Sequence, residues 1–227
     1  LTVYLPHIIV PFLVWSGVYT AYGLISGSYS RLSTFGVIAE FIHGPYHLWF
    51  LYSLAGLYLL TPILRKAAAD GKTLAYFLIM FAAVNVVTQY LIYVPKIGGM
   101  ISDFIERTGL RAVTGYMGYF MLGYFLYSKK DNMSKKTETA IYVIGILMLI
   151  ATIAAECFIS EELRKTDFVK QYMKPNVILY SAAIYTFFVM KMSKIHYSER
   201  TCKVFAVFTE CGFGVYCIHA ILNEFVP

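Results

Sequence analysis

Seven continuous apolar runs, near residues 7–25, 46–64, 73–94, 113–128, 138–159, 175–192 and 205–226, govern what this chain can fold into. Each is roughly 17–23 residues long, the length at which a helix rising 1.5 Å per residue crosses about 30 Å of hydrocarbon. In that solvent each backbone N–H and C=O must be satisfied inside the protein, which a helix does within itself. A transmembrane barrel would instead need segments of about 10 residues alternating apolar and polar, and these runs do not alternate. The reading is all-α: a polytopic transmembrane bundle of about seven spans.

Composition agrees, with 59% hydrophobic and 14% charged residues, against about a quarter charged in soluble domains. The net charge of +6 does not imply nucleic acid, because the cations fall in short loops where topology and anionic headgroups account for them. Arg65, Lys66, Lys72, Lys129, Lys130, Lys135, Lys136, Lys191, Lys194, Arg200 and Lys203 place eleven cations in one set of loops, which marks the cytoplasmic side. The opposite loops, 26–45, 95–112 and 160–174, carry eight cations diluted by acids and face outward. Two of them, Leu32–Ile42 and Ile97–Leu110, are amphipathic at helical spacing and should lie on the interface or cap the bundle. Without repeat, linker or low-complexity tract, residues 1–227 read as one integral-membrane domain.

Cys157, Cys202, Cys211 and Cys217 show neither CxxC pairing nor zinc-ligand spacing, so buried free thiols and no metal are expected. No nucleophile elbow, Walker loop or HExxH motif occurs, and local motifs name no reaction.

Ionisable groups inside a bilayer are costly enough to be functional hypotheses, and the second run carries one in His47-Leu-Trp49-Phe-Leu-Tyr52. At 100° per residue Tyr58 and Arg65 return to within about 20° of the direction of His47, so with Thr61 they would form a stripe. Eighteen residues span about 27 Å, from an outer histidine to a cytoplasmic arginine. The alternative is an interfacial belt of His47 and Trp49 with Arg65 snorkelling inward. Pro62 should bend this helix by removing a backbone hydrogen bond.

Asn85 and Gln89, four residues apart at mid-depth, point the same way as interhelical glue or cavity lining. Gly115, Gly118 and Gly123 punctuate a tyrosine-rich run and suggest close helix approach. Tyr216, His219 and Asn223 share a face of the last run, where His219 is a second histidine with polar company or a structural hydrogen bonder.

His47-Leu-Trp-Phe-Leu-Tyr followed by Gly56-Leu-Tyr-Leu-Leu-Thr-Pro-Ile-Leu-Arg65 resembles the signature of acyltransferase family 3, the bacterial integral-membrane O-acyltransferases, in its O-acetyltransferase-like branch. Ile9-Val-Pro11-Phe-Leu-Val-Trp15, Gly118-Tyr-Phe-Met-Leu-Gly123-Tyr124 and Phe213-Gly-Val-Tyr216-Cys-Ile-His219 match in order along the chain. The resemblance implies ten spans in the usual architecture, with this chain lacking the first two and the last. It also places the catalytic histidine and its arginine on the first span, outside this sequence, so the catalytic residue is unknown here and the chain alone is expected to be inactive. The missing histidine would serve as general base on an acceptor hydroxyl.

The function so implied is transfer of an acetyl or similar short acyl group to a hydroxyl of a cell-envelope glycan or related acceptor. Acyl-CoA, as acetyl-CoA, would be the co-substrate, with no bound cofactor, in the bacterial cytoplasmic membrane among its lipids. The candidate substrate-site residues are His47, Trp49, Tyr52, Tyr58, Arg65, Asn85, Gln89, Tyr216 and His219. The alternatives are a transporter of a small molecule or polysaccharide precursor, and a sensor or anchor module of a larger protein.

Overall fold

The computed structural model describes residues 5–110, 115–161 and 168–225. Among them the long elements are helices: α1 (Pro6–Ile25), α2 (Thr34–His43), α3 (Trp49–Ala69), α4 (Gly71–Tyr90), α5 (Gly98–Arg107), α6 (Tyr116–Lys129), α7 (Lys135–Phe158), α8 (Pro175–Met190) and α9 (Glu199–Phe225). The two segments expected to be amphipathic, Leu32–Ile42 and Ile97–Leu110, form the short helices α2 and α5.

Among the described residues six helices are long and apolar enough to cross a membrane: α1, α3 with its preceding turn, α4, α7, α8 with its following turn, and α9. The expected span at 113–128 differs. Its first two residues lie outside the described ones, and α6 has 14 residues, about 21 Å at 1.5 Å per residue and short of the full hydrocarbon thickness. The helices bury little of themselves. In α9 only 6% of the most apolar stretch is buried, and α7 presents Val143, Ile146, Leu147, Ile150 and Ile153 outward. Such faces suit lipid as solvent and would be untenable in water.

Helix ends follow local chemistry. Ser33 and Ser134 cap α2 and α7, accepting from the amides of Gly36 at 3.2 Å and Thr137 at 3.1 Å. Asp70 caps α4, its carboxylate accepting from the Thr73 hydroxyl at 2.6 Å, the Thr73 amide at 3.0 Å and the Lys72 amide at 3.4 Å. Those bonds hold the carboxyl below its ordinary range. Pro175 opens α8, where its missing N–H is no loss.

Two compact units emerge, Leu1–Thr61 with His196–Pro227, and Pro62–Ile195, the division falling inside α3 at Pro62. That proline cannot donate to the carbonyl of Tyr58, four residues back, yet α3 continues through it. In the first unit Ile8, Leu48, Leu51 and Cys217 form a buried core, with Phe12, Trp15, Tyr58 and Tyr216 packed around it. In the second, Leu64, Ala68, Leu74 and Met121 form another.

Small residues bring helices of the second unit together. A Cβ on Gly118 of α6 would lie 2.1 Å from the Phe81 ring of α4, and one on Gly145 of α7 would lie 2.2 Å from Cβ of Ala183 of α8. Both are side-chain-free contact points of the kind membrane helices use. The cysteines are free, but Cys217 alone is buried; Cys157, Cys202 and Cys211 are exposed, because their helix faces point out of the fold.

Candidate functional site

The first unit gathers its polar side chains around His47. The chain leaves α2 at Gly44, whose φ of +64° is a left-handed conformation and whose Cβ, if present, would sit 2.8 Å from both the Phe12 ring and Ser16 Oγ of α1. Glycine meets both demands. The backbone therefore lies tight on α1 and enters α3 through a 3₁₀ turn, Tyr46–Leu48. That turn carries His47 into the interior, 5% exposed. His47 thus precedes the α-helix, and the 100° count that joined it to Tyr58 and Arg65 does not start from it.

His47 Nε2 is 3.2 Å from the carbonyl of Cys217 in α9. A carbonyl only accepts, so Nε2 bears the hydrogen, and the neutral ring keeps its lone pair on Nδ1. Nδ1 is buried without a hydrogen-bond partner. The Tyr216 hydroxyl donates to the His47 carbonyl, so turn and helix clasp each other from both sides. Tyr19 of α1 completes the arrangement, its hydroxyl donating to the Cys217 carbonyl at 2.9 Å and accepting from the Ile221 amide at 3.3 Å.

The second histidine is adjacent. The ring centroid of His219 lies 4.8 Å from that of His47, and Tyr19, Tyr46 and Tyr216 stand at 5.0, 5.4 and 5.9 Å. His219 Nδ1 donates to the Tyr216 carbonyl at 2.7 Å. Ser16, three residues before Tyr19 and wholly buried, also has an unpartnered hydroxyl. A buried polar atom without a partner costs about 1–3 kcal/mol. Both atoms, His47 Nδ1 and Ser16 Oγ, belong to the first unit.

A family model described as an acyltransferase domain matches residues 4–225. The chain belongs to the acyltransferase 3 family. No curated protein and no solved structure matches it. Membership makes this a membrane protein of acyltransferase type.

Within this acyltransferase 3 chain, His47, Tyr216 and His219 come together, and Tyr58 lies in the apolar layer packed on the same core. Tyr52 is half-exposed and bound elsewhere, its hydroxyl donating to the Ile42 carbonyl and its ring edge-on to Phe12 at 4.5 Å. Trp49, also half-exposed, stands edge-on to Phe50. Arg65, Asn85 and Gln89 belong to the second unit. Arg65 is exposed. Asn85 is fully buried, its Nδ2 donating to the Phe81 carbonyl at 2.8 Å and its Oδ1 unpartnered.

Gln89 contributes its backbone. Its carbonyl accepts from Lys174 Nζ at 2.6 Å, and that ammonium, on a side chain 1% exposed, lies 3.9, 4.7 and 5.2 Å from the ring centroids of Phe168, Tyr90 and Tyr93. Burial pushes the Lys174 ammonium below the ordinary lysine pKa. Beside it Asn176 donates to Thr152 Oγ1 at 2.8 Å and the Val169 carbonyl at 3.1 Å, and accepts from the Tyr90 hydroxyl at 3.2 Å. Sequence reading passed over Ser16, Tyr19 and Lys174. A serine inside an apolar run was an available signal for Ser16; one tyrosine among twenty and one loop lysine offered none.

No group of three or more His, Cys, Asp or Glu that could hold a metal occurs among the described residues.

Proposed function

We propose that this protein transfers an acetyl or similar short acyl group from acyl-CoA to a hydroxyl of a cell-envelope glycan or related acceptor at the bacterial cytoplasmic membrane. The observation that carries the reading is the buried, unpartnered Nδ1 of His47 beside His219 in a chain of the acyltransferase 3 family. Nδ1 accepts the hydrogen of the incoming hydroxyl and so fixes the direction of its oxygen lone pairs. Ser16 Oγ offers a second contact, as donor or acceptor. Tyr216 holds the histidine turn against α9, and Tyr19 ties α1 to the same helix, so that the geometry survives substrate exchange.

Orientation of this kind is worth a great deal, since a misplacement of about 1 Å can cost 10²-fold in rate. His47 and its neighbours are therefore assigned acceptor positioning.

The test uses the native gene product in membranes and measures acyl-CoA-dependent acylation for wild type, His47→Ala and Arg65→Ala at equal abundance. A loss of tenfold or more in His47→Ala, with Arg65→Ala near wild type, supports the assignment. Full activity in His47→Ala removes it.

A further inference from the structure

Two apolar grooves flank α8 in the second unit. One, of about 600 Å³, runs against α6 over Phe120, Gly123, Tyr124, Tyr127 and Tyr185. The other, of about 580 Å³, runs against α7 over Leu149, Ile184, Phe187 and Lys191. The first extends along α6 from Tyr119 to Tyr127, eight residues or about 12 Å, close to the ~15 Å that one leaflet contributes to the hydrocarbon. Its Phe120, Tyr124 and Tyr127 rings remain exposed.

The grooves differ in how a lysine is held at the end where each meets the basic loops. Beside the α7 groove, Lys191 Nζ lies 2.8 Å from the Glu138 carboxylate, which also interacts with Lys194. Beside the α6 groove, Lys130 Nζ sits 4.0 Å above the Tyr127 ring, at the groove's own mouth. Lys129 precedes it and Asp131 follows, leaving one net positive charge, and the Tyr185 phenol is near enough to interact with Lys130. An ammonium with hydroxyl donors at the head of an apolar, one-leaflet channel matches a phosphate attached to a fatty chain.

We propose that the α6–α8 groove is a binding site for an anionic phospholipid, with an acyl chain along Tyr119–Tyr127 and the phosphate on Lys130 and Lys129. This assignment is independent of the acyl-transfer site.

Native mass spectrometry of the purified full-length protein, equilibrated with an equimolar mixture of phosphatidylglycerol and phosphatidylcholine, reads the preference directly. Lys129→Gln with Lys130→Gln should lower phosphatidylglycerol retention about fivefold per lysine, the factor equivalent to ~1 kcal/mol for each basic residue at a membrane surface. Lys130→Arg should preserve it, which separates lost charge from lost folding, and Lys191→Gln should leave it unchanged. Gly123→Trp should expel the lipid with every charge intact, because Gly123 opens on the groove with only Tyr185 in reach of a Cβ, at 3.9 Å. Undiminished preference in the double variant, retention in Gly123→Trp, loss in Lys130→Arg, or displacement of the phospholipid by acyl-CoA would each overturn the proposal.

Discussion

Gly145→Ala isolates the packing on which the second unit depends. The added Cβ would stand 2.2 Å from Cβ of Ala183, whereas ordinary contact begins at 3.4 Å. α7 and α8 would therefore have to part locally by about 1.2 Å, an overpacking that typically costs 1–3 kcal/mol. Against this, alanine is favoured over glycine inside a helix by about 0.8–1.0 kcal/mol, so the net expectation is a loss of up to about 2 kcal/mol. In a chain of this size 1 kcal/mol moves the midpoint by about 2–4 °C, and a drop of up to about 8 °C follows. Thermal unfolding of the detergent-purified protein, followed by intrinsic fluorescence, is the assay.

Two controls make the test specific. Ala183→Gly combined with Gly145→Ala exchanges the two side chains, cancels the propensity change and removes the overlap, so the double variant should unfold near wild type. Gly56→Ala in α3 meets nothing within 4 Å and should be neutral or slightly stabilising through propensity alone. If Gly145→Ala unfolded like Gly56→Ala, or if Ala183→Gly failed to rescue it, the close approach of α7 and α8 would be wrong.

Two further expectations concern charge and topology. Because burial lowers the Lys174 pKa, the unfolded chain binds more protons between the folded value and the ordinary ~10.4; wild-type stability relative to Lys174→Met should rise with pH through that window, and a flat difference in denaturant titrations would show that the ammonium is not desolvated. Cysteines introduced at Lys130 and Lys96, in a background lacking the exposed Cys157, Cys202 and Cys211, should label from the cytoplasmic and the outer side respectively; the reverse pattern would invert the positive-inside orientation.

Much of the fold was legible because a bilayer leaves the backbone one simple solution, and continuous apolar runs announce it. α2 and α5 were equally legible from their three and four residue spacing. Harder to read was the start of α3: the left-handed Gly44 and the 3₁₀ turn after it rotate His47 off the helical wheel, and hydrophobic periodicity says nothing about a three-residue turn. His47 and His219 were each marked by being ionisable in apolar sequence. Their pairing was not, since 172 positions separate them and their contact arises only from how α1, the turn and α9 pack. Lys174 shows the opposite failure. Position just before a helix makes a lysine look like a topological charge, and only the packing of Phe168, Tyr90 and Tyr93 reveals that it is buried.

His47 is proposed to position the acceptor through Nδ1, while Nε2 ties the turn to α9. His47→Gln separates the two, since its amide N–H₂ can still reach the Cys217 carbonyl but no acceptor remains at the place of Nδ1. The measurement is the acyl-CoA-dependent acylation rate of the full-length His47→Gln protein in membranes, taken beside its unfolding midpoint. A midpoint within about 2 °C of wild type, less than about 1 kcal/mol, and a rate at least tenfold lower are expected; a wild-type rate at a wild-type midpoint would show that Nδ1 does not position the acceptor.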